Sequence, residues 1–279
     1  MRSTKVSIVT DSTADIPERL LEKYAISQVP NILIIGNQSY EDGKDLSRAD
    51  FYTRLPGMNP LPTTATPSVT KFQQLYEDLL TAGATHVLSM HASSTLSGIY
   101  NAARLAAQEF HGRVEVFDSQ FITLGLGFQC LDAAEAALDG MTIENIIRIV
   151  DVARRKARVI AMLDTLEYVR RSGRVSWAKA RIGNLLRLKP FIEVRDGLVH
   201  SLGEVRTRRK GIERLIDLIR RQGAMKRLAI LHTNAESEAN QILHDLNPRL
   251  STKPEVVFVT TIIGAHVGPN GLGFAGLAL

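Results

Sequence analysis

Hydrophobic positions along the chain fall into two rhythms. KVSIVT (5–10) is short, apolar and β-branched, so it reads as a buried strand, and VPNILII (29–35), HVLSMH (86–91) and RVEVFD (113–118) read as further strands. Between them the apolar spacing becomes helical. From Ser94 to Phe110, the residues Leu96, Ile99, Tyr100, Ala103, Ala107 and Phe110 share one face. Helix starts are marked by cap chemistry: Asp15-Ile16-Pro17-Glu18, Ser47 with Asp50 opening a short helix to Leu55, and Thr66-Pro67 opening a helix over 67–82. Two further helices are predicted near 123–138 and 142–157. GNQSYEDG (36–43) reads as a hairpin turn. This alternation predicts a mostly parallel sheet flanked by helices.

After residue 157 the rhythm changes. RVIAML (158–163) and KPFIEV (189–194) are predicted strands, separated by a basic helical stretch over 165–187. GLVHSLGEV (197–205) follows directly, as a hairpin would. The stretch 207–222 is amphipathic through Ile212, Leu215, Ile216 and Ile219. RLAILH (227–232), a helix over 235–246, EVVFVTT (255–261) and IGAHVG (263–268) complete the series. Hairpins with two or three helices predict a mixed or antiparallel sheet with helices on one face. The fold class is therefore α/β in two domains: 1–157, an N-terminal α/β domain, and 158–279, a C-terminal α+β domain.

Composition narrows the classes. At 44% hydrophobic and 23% charged residues, the chain of 279 residues has the make-up of a globular protein, not of a disordered or collagen-like one. No apolar run reaches the roughly 18–20 residues of a membrane helix, and the start lacks a signal-peptide core, so a cytoplasmic protein is expected. The single Cys130 excludes a disulfide framework and lies on the apolar side of a helix, where an inert thiol is expected. The net charge of +5 is mild but clustered, as in Arg154-Arg155-Lys156 and Arg208-Arg209-Lys210. Such runs are solvated helix faces or docking points for an acidic partner or a lipid headgroup. With 6% aromatic residues and no nucleic-acid module, no nucleic-acid partner is expected.

Familiar catalytic signatures are missing. There is no P-loop, no G-x-G-x-x-G that joins a strand to a helix, no H-E-x-x-H and no G-x-S-x-G. No metal or cofactor is expected. What stands out is hydroxyls: Thr10-Asp11-Ser12-Thr13, Thr63-Thr64-Ala65-Thr66, and Ser93-Ser94-Thr95-Leu96-Ser97-Gly98. In a parallel sheet, strand ends and helix starts meet at one edge, where ligands bind. Helix N-termini offer free N–H groups, and neighbouring hydroxyls add neutral donors, a combination suited to a carboxylate or phosphate. One hydroxyl among Ser93 and Ser94 is needed as a cap, and Asp15 and Thr66 read as caps; Thr64 has no capping duty. GAHVGPNGLG (264–273) is the other notable stretch. Its glycines mark a special backbone path, and His266 within it could donate a hydrogen bond to an anion or serve as a structural turn residue.

Taken in order, V-T-D-S-T-A-D-I-P (9–17), the threonine loop before Pro67-Ser68, S-S-T-L-S-G-I-Y (93–100), V-F-D-S (116–119), L-E-Y-V-R-R-S-G-R-V (166–175), K-P (189–190) and G-A-H-V-G-P-N-G-L-G (264–273) resemble the DegV family over nearly the whole chain. The resemblance implies a two-domain protein that buries the acyl chain of a long-chain fatty acid such as palmitate or oleate. It implies that Thr64, Ser93, Ser94 and His266 hold the carboxylate, with Ser12, Ser97, Arg170 and Arg206 in supporting or partner-facing roles. It also implies a carrier, not an enzyme, that presents the acid to a separate fatty acid kinase for acyl-phosphate formation and touches the membrane surface transiently. The loop T-T-A-T-P-S departs from the family's common T-S-Q-P-S while keeping Thr64. The alternative is a serine hydrolase or phosphotransferase with His266 as base.

Overall fold

A computed structural model describes residues 5–180, 188–246 and 253–279. The chain opens with β1 (Val6–Asp11), α1 (Glu18–Lys23) and β2 (Ser27–Val29). Next come β3 (Ile32–Ile35), β4 (Gln38–Glu41), α2 (Arg48–Arg54) and β5 (Thr63–Ala65). There follow α3 (Val69–Thr81), β6 (His86–His91), α4 (Ile99–Ala107), β7 (Val114–Asp118), α5 (Leu124–Leu138) and α6 (Ile143–Lys156). Then come β8 (Ala157–Met162), α7 (Glu167–Ser172), α8 (Ser176–Ala180), β9 (Lys189–Arg195) and β10 (Leu198–Val205). The chain closes with α9 (Arg208–Arg220), β11 (Met225–His232), α10 (Glu236–Leu246), β12 (Glu255–Phe258), α11 (Thr261–Val267) and β13 (Leu272–Ala278).

These elements form two compact units, and a single cut near residue 157 does not separate them. One unit takes Met1–Asn31, Thr66–Lys156 and Asp196–Leu198; the other takes Ile32–Ala65, Ala157–Arg195 and Val199–Leu279. The segment 32–65 joins the C-terminal unit because Leu33, Phe51, Tyr52 and Leu55 bury against Tyr168, Ile262 and Ala265. The Pro- and Thr-rich stretch 55–68 overlaps the end of that segment, but on sequence alone it reads as a loop within one domain.

The first unit is built on the sheet β2-β1-β6-β7, parallel throughout. Connections run outward from β1 in both directions, which makes the β1–β6 gap a topological switch point. The core contains Val9, Val29, Val87 and Val114 from the strands, Phe72 and Tyr76 from α3, and Ile99 and Ala103 from α4. Ser68, not Thr66, caps α3 by accepting from Lys71 N at 3.3 Å. Asp15 does not start α1 either: at a left-handed φ of 53° it closes the 3-10 turn Ser12–Ala14, and α1 starts behind Pro17. The α5 helix is buried on nearly every side, and burial pushes the Cys130 thiol up to about 12, so it stays protonated and inert.

The second unit holds the six-stranded sheet β10-β9-β8-β13-β11-β12, mostly antiparallel with a parallel β11–β12 pair. Leu215 and Ile219 of α9 and Ala239 and Ile242 of α10 pack on Ile160, Phe191, Ile230 and Phe274. A smaller sheet, β4-β3-β5, is antiparallel and places Leu33 opposite Thr64. Two expectations fail here. The segment 263–268 is helix, not strand, and the glycine-rich L-G-F-A-G-L-A that follows is β13, buried between β8 and β11. The basic stretch after 165 is broken at Gly173, whose φ of 73° ends α7; its part at 181–187 lies outside the described residues. Among the described residues no helix is long and apolar enough to cross a membrane.

Candidate functional site

In the second unit, Thr64 and His266 come together across 202 positions of sequence, with Thr64 Oγ1 and His266 Nε2 3.0 Å apart. Thr64 is carried by the β5 strand, whose partner is β3. His266 is in the last turn of α11. That helix is anchored at its start. Thr260 caps it, and the hydroxyls of Thr260 and Thr261 both donate to the buried Asp42 carboxylate, Thr261 at 2.6 Å. Tyr52 lies along it, its hydroxyl 3.1 Å from the carbonyl oxygens of Val259 and Thr260. Gly264 is required there, because a Cβ would overlap the Tyr52 ring. Gly268 ends the helix at φ 80°, where a Cβ would overlap Tyr168. The glycines of this motif thus serve close ring packing as well as a turn.

Burial, with a smaller push from the Arg174 cation, lowers His266 to about 4. The ring is neutral at pH 7, so the pair carries no charge. With Nε2–H donating to Thr64 Oγ1, the Thr64 proton is available to an acceptor such as a carboxylate oxygen. As a catalytic base the ring is poorly served: its charged neighbour is a cation, whereas a triad histidine is supported by a carboxylate.

In the first unit the hydroxyls have other duties. The turn 93–98 follows β6, and α4 begins only at Ile99. Buried Ser93 donates to the Gly197 carbonyl at 2.8 Å, and Thr95 donates to the same oxygen. Ser94 donates to Asp118 Oδ2 at 2.5 Å, and its backbone N–H points to the same carboxylate at 3.3 Å. Ser97 accepts from Ile99 N at 3.2 Å, a local cap. Ser12 accepts from the Asn31 backbone and side chain at 3.1 and 3.3 Å. Arg170 and Arg206, both in the second unit, are exposed and form no ion pair among the described residues.

Asp11, one of several fully buried polar residues, carries no role in the sequence reading. Asp11, at the end of β1, accepts from Thr13 N at 3.0 Å, Asn31 Nδ2 at 3.1 Å and Ala92 N at 3.1 Å, and from the Thr13 hydroxyl. His91 Nδ1 is 3.0 Å from Asp11 Oδ2, and His91 Nε2 is 2.7 Å from Ser89 Oγ, which in turn accepts from Tyr76 at 2.8 Å. Asp11, Ser89 and His91 are fully buried. Burial alone would raise Asp11, but the His91 bond and charge, with Thr13 and the Ala92 amide, hold it below the usual carboxylate range. A sequence signal did exist: β1 and β7 each end in an Asp that a Ser follows, at Asp11-Ser12 and Asp118-Ser119. Among the described residues, no cluster of three or more His, Cys, Asp or Glu could hold a metal.

A four-stranded parallel α/β unit and a six-stranded mixed one, in this chain order, define a fold class shared with solved structures. A protein from Thermus thermophilus, described as a DegV family protein binding fatty acid, is similar with a TM-score of 0.90 and 31% identity, covering 99% of this chain and 100% of that one. DegV from Bacillus subtilis, described as a fatty acid binding protein, has a TM-score of 0.88, 31% identity and the same coverage. The chain belongs to the DegV family: the model described as "Uncharacterised protein, DegV family" matches residues 5–278. A DegV domain-containing protein from Deinococcus radiodurans is 36% identical over 277 residues, covering 97% of each chain.

Proposed function

We propose that this protein binds a long-chain fatty acid and hands it to a separate fatty acid kinase, without catalysing a reaction itself. The observation that carries the reading is the Thr64–His266 pair, a neutral hydroxyl and a neutral ring held at 3.0 Å. Such a pair suits a carboxylate head, which it meets without a buried counter-ion to desolvate. The reading is supported by the relatives of known structure described as fatty acid binding. Burial of the acyl chain would supply most of the affinity, at about 0.8 kcal/mol per methylene. Ser93 and Ser94 already donate to Gly197 and Asp118, and either could serve a ligand only by releasing that partner. Arg170 and Arg206 are proposed to face the kinase, since an exposed guanidinium is available to an acidic surface. A transient stay at an anionic membrane surface and a cytoplasmic location belong to the same reading.

The test is solvent extraction of the purified protein with mass spectrometry of the extract, followed by titration with palmitate and oleate. A stoichiometric fatty acid supports the reading. An empty protein that also takes up neither acid sinks it, and an ester-hydrolysis assay with a His266→Gln control then becomes the next measurement.

A further inference from the structure

The Thr64–His266 contact closes a ring of hydrogen bonds inside the second unit. From Thr64 on β5 the ring passes to β3, where Thr64 faces Leu33, and then to β4, where Ile32 faces Glu41. The next residue is Asp42, a buried side chain outside the contact pair itself. Its two oxygens take the hydroxyl protons of Thr260 and Thr261, one each, Thr261 at 2.6 Å. Those threonines begin α11, and His266 lies in the last turn of the same short helix. Acidic charge is favoured at a helix start, and here it also joins the sheet that carries Thr64 to the helix that carries His266. The helix is only seven residues long, so the grip at Thr261 and the His266 ring lie within two turns of each other.

We propose that Asp42 is a positioning residue for the head-group site: by gripping Thr260 and Thr261 it sets the orientation of the His266 ring against Thr64. This rests on the reading that Thr64 and His266 meet the carboxylate. Asparagine at 42 would keep one acceptor and replace the other by a donor, so one threonine hydroxyl would lose its partner and face an N–H group.

The experiment compares wild type, Asp42→Asn, Thr261→Val and Thr261→Ser by palmitate titration and by the ring ¹⁵N signals of His266. Circular dichroism confirms that each is folded. In Asp42→Asn, palmitate affinity is expected to fall about tenfold and the His266 ring signals to move before any ligand is added. Thr261→Val should reproduce both changes, and Thr261→Ser, which keeps the hydroxyl, should restore them. Should Asp42→Asn not fold, the two Thr261 variants decide alone. A folded Asp42→Asn or Thr261→Val with unchanged affinity and unchanged ring signals overturns the proposal. A wild type that binds no palmitate overturns the head-group reading instead, while the ring signals still show whether Asp42 sets His266.

Discussion

Two candidate hydroxyls, Ser94 in the first unit and Thr64 in the second, sit beside partners that differ in charge. In the first unit Ser94 donates to the Asp118 carboxylate and Thr13 to the Asp11 carboxylate. In the second, Thr64 faces an imidazole that burial keeps neutral. A hydrogen bond to a charged group contributes roughly 1.5–3 kcal/mol, against about 0.5–1.5 kcal/mol between neutral groups. A hydroxyl that already serves a protein carboxylate is therefore costly to redirect towards a ligand carboxylate. Thr64 is the cheaper donor. The hydroxyls of the two units look alike in sequence, and only their partners separate fastening from recognition.

The sharpest way to break that contrast is to remove the charge at the centre of the first unit. Asp11→Ala leaves the amides of Thr13 and Ala92, the Asn31 amide and the His91 ring without their buried acceptor. A loss of about 3–5 kcal/mol is expected in denaturant unfolding. The same carboxylate makes the unit acid-sensitive. Its folded value lies below the unfolded one, so its contribution is present above about pH 4 and disappears as pH falls through the folded value.

The second unit responds to acid earlier and for the opposite chemical reason. His266 is lowered to about 4 from an ordinary value of 6.5, so below pH 6.5 the unfolded chain gains a proton that the folded one resists. Stability should fall between pH 6.5 and 4 by about 3 kcal/mol and change no further from this group below that range. His266→Gln should flatten that interval in a pH series of thermal melts. An unchanged slope would mean that the ring is not held neutral.

Smaller effects sharpen the contrast. Thr64→Val keeps the shape of a half-buried side chain and removes its proton, and fatty acid affinity should fall about tenfold by titration, or about 1.4 kcal/mol. Ser94→Ala should change affinity less than Thr64→Val does, because its proton belongs to Asp118; its expected cost is about 1–2 kcal/mol of stability. If Ser94→Ala weakens binding as much as Thr64→Val, the distinction between fastening and recognition fails.

Much of the fold was legible where the pattern had one cause. Strands β1, β6, β7 and β8 are short runs with apolar residues, and Ser47 caps α2 with Asp50 as its spacing predicts. Legibility ended where tertiary packing overrode local preference. Thr261–Val267 is β-branched and glycine-interrupted, yet it is helical, because Asp42 holds its start and Tyr52 packs along it. The glycine-rich β13 lacks alternation because both its faces are buried, a state that erases the two-residue period. At the site, Thr64 was picked out by its lack of a capping duty and His266 by its glycine setting, and the two do meet. The partners that fix them, Asp42 and Tyr52, lie more than 200 residues from α11 in sequence, and no local pattern points to them.

The excursion of residues 32–65 into the C-terminal unit also bears on how the chain is made. Leu33, Phe51, Tyr52 and Leu55 leave the ribosome more than 200 residues ahead of Ile262 and Ala265, which cover them. At about 5–20 residues per second, these side chains wait on the order of 10–40 s for their partners. The first unit can collapse meanwhile, since its strands are complete by Asp118. A growing chain thus carries an uncovered aromatic segment between pieces that can already pack, which is the kind of stretch that nascent-chain chaperones shelter. Its birth is therefore expected to depend on the order of synthesis more than its finished architecture would suggest.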